Sequence, residues 1–130
     1  MALLKKKLNY DTKSIAQHLN EFMEMCDAAD AAIVSTVDGH MIEKVERTSY
    51  PVGRIATMGS SMMSLADTMT AELSMGKCKN LVVENEQGIL LMMHISDDLV
   101  LVSITHSSTG LGMLISSSRV CSEAIHQALT

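Results

Sequence analysis

Aromatic rings are almost missing from this chain. Tryptophan does not occur, phenylalanine occurs once (Phe22), and tyrosine twice (Tyr10 and Tyr50). Proteins that hold bases or single-stranded nucleic acid stack them on aromatic faces, so that class is disfavoured. Positive charge is also short. The formal net charge is −5, whereas phosphate backbones need a basic field. Lys5, Lys6 and Lys7 form the one basic run, which reads as a solvated tail. No apolar run approaches the roughly 20 residues of a membrane span. "MALLKKK" places its charges after its apolar residues, the reverse of a secretory signal. Cys26, Cys78 and Cys121 are odd in number and scattered, which suits reduced thiols in a cytoplasm better than a disulfide framework. The expectation is one domain over residues 1–130, with a flexible segment over 1–10.

Periodicity supplies the elements. "DTKSIAQHLNEFMEMC" puts Ile15, Leu19, Phe22, Met23 and Cys26 at helical spacing, with Asp11 or Thr12 able to cap the start. Two β-branched runs, residues 31–37 and 40–46, flank Asp38–Gly39 and predict a hairpin whose two turn residues take positive φ. Pro51 suits the first turn of a helix capped by Ser49 and running to Gly76 as a left-handed terminator. "NLVVEN", "ILLMMHI" and "LVLVSITH" read as three strands, the last two apolar enough to be covered on both faces. A last helix over about 110–128 turns Leu111, Leu114, Ile115, Cys121 and Ile125 inward. The order is α-β-β-α-β-β-β-α.

Catalytic and metal patterns are weak. In "GRIATMGSS" the glycines are six residues apart and Ser60 stands where a phosphate-binding loop needs lysine. Three cysteines and five histidines (His18, His40, His94, His106, His126) show no paired ligand spacing. No G-x-S-x-G elbow occurs, and His106 beside Ser107 reads as strand-end polarity. Asp97–Asp98 reads as a turn. No catalytic residue, cofactor-binding residue or metal ligand is therefore assigned.

The middle helix is the unusual segment. Five of the twelve methionines lie in residues 58–76. Ile55, Met58, Gly59, Met62, Met63, Leu65, Ala66, Met69 and Leu73 spread over half of its circumference, wider than the ~100° stripe that one sheet covers. Two readings compete: a deeply buried core helix with methionine filling gaps, or a helix that packs on its sheet with one flank and on a second molecule with the other. A two-fold dimer needs only one self-complementary patch.

In order and at its joints the chain resembles the roadblock family, named for roadblock-type dynein light chains, and most closely its bacterial members. The resemblance rests on "AAIVSTVDGHMIEKV", "IATMGSSMMSLADTMTAEL" and "KNLVVENEQGILLMMHISDDLVLVSITHSSTGLGMLI", and covers residues 12–128. It departs at Thr109–Gly110, where many members carry Asn before the Leu-Gly pair. It implies a five-stranded antiparallel sheet with helices on both faces. It further implies a dimer in which middle helices pair antiparallel and third strands meet edge to edge. Ile55, Met58, Gly59, Met62, Leu65, Ala66, Met69 and Leu73, with Leu81, Val82 and Val83, are then the interface residues. Arg54, Ser61 and Thr68 are the partner-facing candidates. The implied role is a non-catalytic homodimeric regulator or scaffold of a small Ras-like GTPase. The alternatives are a structural adaptor without nucleotide sensing and a small-molecule sensor, the last disfavoured by the lack of aromatics and convergent polar groups.

Overall fold

The computed structural model describes residues 10–130, so the expected flexible segment falls, apart from Tyr10, outside the described residues. The elements are α1 (Thr12–Met25), β1 (Ala29–Thr36), β2 (Met41–Glu46), α2 (Val52–Glu72), β3 (Leu81–Asn85), β4 (Gly88–His94), β5 (Leu99–Thr105) and α3 (Leu111–Leu129). The strands form one sheet in the order β2-β1-β5-β4-β3, antiparallel at every pairing. β2 and β3 are its edges.

Side-chain alternation sorts the core onto two faces. Leu99 and Leu101 point to the face covered by α1 and α3, where they meet Ile15, Leu19, Phe22, Leu114 and Ile125. Val100 and Val102 point to the other face, with Ile33, Met92 and the α2 residues Ala56 and Met63. All seven residues of β5 are buried, as a strand covered on both sides requires. Two serine pairs stitch the layers: Ser103 Oγ lies 2.8 Å from Ser118 Oγ of α3, and Ser35 Oγ lies 3.0 Å from Ser60 Oγ of α2.

Several joints differ from the sequence expectation. The β1–β2 turn is a three-residue loop, Val37–Asp38–Gly39, closed by Gly39 N–H to Thr36 O at 3.0 Å and Thr36 N–H to His40 O at 2.8 Å. Only Gly39 of the Asp38–Gly39 pair has positive φ (+96°). The cause is Val37, whose N–H donates to Asp98 O at 2.9 Å and so leaves the pairing with β2. This is the three-residue hairpin form, with glycine in the left-handed bulge position. At the start of α2, Pro51 itself is the cap residue and no side chain caps the helix, so Ser49 does not serve. The helix stops at Glu72, before Gly76. Ser74 takes φ +56°, its N–H donates to Ala71 O at 3.0 Å, and Met75 N–H donates to Thr70 O at 2.9 Å. Those two bonds make a Schellman stop with serine where glycine usually sits. α3 also starts without a side-chain cap, on Gly110. α1 is capped as expected: Asp11 Oδ1 accepts from Ser14 N–H at 3.1 Å. Its far end is held by Arg47, whose guanidinium donates to the carbonyls of Met23, Asp27 and Ala29.

Candidate interaction site

α2 meets the sheet through a narrow strip. Ala56, Gly59, Ser60 and Met63 are its buried residues, at spacings of three, one and three, so one turn-wide face does the packing. A Cβ on Gly59 would stand 3.2 Å from Val102 Cγ2 and 3.4 Å from Met92 Sδ. The glycine therefore lets the helix backbone settle directly on β4 and β5. Gly59 thus faces its own sheet and does not join the outward residues with which the sequence grouped it.

Polar pins fix the helix rotation. Ser60 Oγ donates to Thr36 O at 2.8 Å, and Thr57 Oγ1 donates to Gly39 O at 3.1 Å. Further along, Asp67 Oδ2 lies 2.6 Å from His94 Nε2, and Asp67 Oδ1 accepts from Cys78 N–H at 3.1 Å. One carboxylate thereby ties α2 to the end of β4 and to the segment leading into β3. None of these pins was read from the sequence. The signal was present only as polar residues on the sheet-facing arc, Ser60 and Asp67, where a helix that packs solely through apolar contact would carry none.

With the rotation fixed, the large apolar side chains point away. Met58 (57% exposed), Met62 (39%), Leu65 (62%), Met69 (59%) and Leu73 (63%) form a continuous outward ridge. Their spacing of 4, 3, 4 and 4 is close to the seam spacing of paired helices. Ile55 and Ala66 flank the ridge and are half-buried. On its other side Arg54, Ser61 and Thr68 are exposed. The hydroxyls of Ser61 and Thr68 turn back to Thr57 O and Ser64 O, both at 3.0 Å, so this side is small and nearly uncharged. Leu81, Val82 and Val83 lie half-buried on the edge strand β3. Leu81 and Val83 pack toward α2, and Val82 packs on the other face.

His106 and Ser107, the pair that could be read as base and nucleophile, have structural partners instead. His106 Nδ1 lies 2.7 Å from Asp30 Oδ2, its ring stacks on Tyr50, and Ser107 Oγ lies 3.2 Å from Thr109 Oγ1 instead of facing the imidazole. Burial, assisted by the charge of Glu21, pushes the Cys121 thiol up to about 12. Burial and then Asp67 raise Cys78. Neither offers a thiolate nucleophile at neutral pH. Among the described residues no group of three His, Cys, Asp or Glu side chains is placed to hold a metal ion, and no helix is long and apolar enough to cross a membrane.

The family described as mitogen-activated protein kinase kinase 1 interacting matches residues 13–128. The chain belongs to that family. Its fold is that of the roadblock family. The chain superposes on Myxococcus xanthus MglB with a TM-score of 0.84 at 15% identity, over 92% of each chain. A structure described as MglB with tetrameric arrangement aligns with a TM-score of 0.81 at 17% identity, over 88% of this chain and 87% of that one. A Roadblock/LC7 domain from Streptomyces avermitilis aligns at 0.80 and 13% identity, over 88% and 96%. At such identities the likeness is one of fold. A search of curated proteins returns no match.

Proposed function

We propose that this protein is a non-catalytic, homodimeric regulator or scaffold of a small Ras-like GTPase, acting in the cytoplasm. One observation carries the dimer: five large apolar side chains, four on α2 and Leu73 just past its end, are turned to solvent by polar pins that prevent the helix from burying them. An uncharged ridge of that length is a contiguous apolar patch of the kind that marks an interaction surface. Two copies related by a two-fold axis cover it with one self-complementary contact. The tetrameric arrangement described for MglB, a protein of the same fold, is in keeping with association between copies. The β3 edge extends the contact, because its exposed backbone groups gain partners in a second β3.

In such a dimer the serine and threonine flank of α2, with Arg54, Ser61 and Thr68, stays open and forms the platform for the GTPase. No catalytic group is needed from this chain, and its described arginines include one, Arg47, already committed to backbone carbonyls. The test is titration of the purified dimer with the small Ras-like GTPases of its own source organism, loaded with GTP and then with GDP. Binding that depends on the nucleotide is expected. Equal affinity in both states favours a second reading, an adaptor blind to nucleotide, which the kinase-interacting description of its family also supports. No binding in either state overturns the GTPase reading.

A further inference from the structure

Strand β3 carries more information than its free edge. Its register with β4 pairs Leu81 with Met92, Val82 with Leu91 and Val83 with Leu90. Residues 81 and 83 therefore share the α2 face, and 82 faces α1 and α3. When two β3 edges meet about a two-fold axis perpendicular to the sheet, directly opposed residues must share a face, so their numbers sum to an even value. Centring the axis on Leu81 sets Val82 against Asn80 and Val83 against Lys79. Centring it on Val83 sets Val82 against Glu84. Only an axis through Val82 pairs all three apolar residues with one another, Leu81 with Val83 and Val82 with itself.

That register sets Asn80 opposite Glu84 of the second copy, both on the face of α3. Arg119 of α3 already reaches this point, its Nη2 donating to Asn80 Oδ1 at 3.2 Å. Among the described residues Arg119 is joined to no carboxylate and Glu84 to no cation. Opposed residues on paired strands stand about 5 Å apart at Cβ, so the carboxylate of Glu84 arrives within reach of the Arg119 guanidinium. We infer that Arg119 and Glu84 of two copies form reciprocal ion pairs, one at each end of the β3–β3 contact, which select this chain's own copy and set the register. The inference rests on the dimer reading and adds to it the residues that decide who pairs with whom.

The experiment uses Glu84→Arg and Arg119→Glu, alone, mixed and combined in one chain, followed by native mass spectrometry with one variant carrying a size tag. Each single variant is expected to dimerise about tenfold or more weakly, because like charges then face each other at two sites. Mixing the two single variants is expected to yield mixed dimers above the share given by random pairing, and the double variant to regain self-association. Single variants that dimerise like the parent and mix at random would overturn the inference while leaving the dimer intact. A parent protein that is itself monomeric would overturn the dimer reading instead.

Discussion

Helices α1 and α2 cover opposite faces of the same sheet and are built inversely. α1 buries its large residues, Ile15, Leu19, Phe22 and Met23, and shows Lys13, Gln17, Glu21 and Glu24 to the solvent side of its wheel. α2 buries small residues around a single methionine and turns its large ones outward. Their roles follow. The α1 and α3 side is a closed layer whose apolar area is spent on folding. The α2 side folds through close backbone approach and a few polar pins, leaving most of its large apolar side chains exposed, as the proposed dimer requires. A protein that must be both stable and sticky can divide those tasks between the two faces of one sheet.

The division can be broken from either side. Phe22→Ala, in the closed layer, is expected to lower the unfolding free energy by about 3–5 kcal/mol. Denaturant titration should show that loss at every protein concentration; a loss confined to dilute samples would move Phe22 to the association side. Met62→Glu or Ala66→Arg should do the reverse, burying an unpaired charge at a cost of about 3–5 kcal/mol in the dimer only. The circular dichroism spectrum is expected to stay intact while light scattering reports monomers. Intact dimers for both variants would remove α2 from the interface.

Gly59→Leu sharpens the distinction, since it fills the close approach to Val102 and Met92. A destabilisation of about 1–3 kcal/mol is expected from overpacking, and an unchanged melting temperature would mean that α2 stands further from the sheet. The closed layer also has a pH signature. The Cys121 thiol, at about 12 in the fold against an ordinary 9.0, keeps its proton where the unfolded chain loses it. Stability is therefore full below pH 9 and declines as pH rises from 9 toward 12, and Cys121→Ala should flatten that decline in alkaline melts. The smallest effect belongs to the α2 stop. Ser74→Gly relieves a left-handed serine and should add about 0.5–1 kcal/mol, with no gain if the αL bonding is absent in solution.

Much of this was legible in the residues because it depends on period. Helical spacing marked α1, β-branched and near-continuous apolar runs between turns marked the strands, and the breadth of the apolar arc on α2 announced more surface than a sheet covers. What escaped is set by tertiary hydrogen bonds. Val37 is drawn to Asp98, which opened the hairpin by one residue; Ser74 bonds back to Ala71, which ended α2 four residues before Gly76. The same limit applies to the interaction site. Sequence spacing grouped Gly59 with Met58 and Met62, because neighbouring wheel positions differ by too little to say which one faces the sheet. The pins at Thr57, Ser60 and Asp67 decide that rotation.

Sedimentation equilibrium of the purified chain over a wide concentration range tests the division of labour most directly. The expected mass in the micromolar range is twice the chain mass of 14.1 kDa, falling to one chain for Met62→Glu with no change in fold. A parent protein that sediments as a compact single chain at every concentration would contradict the account.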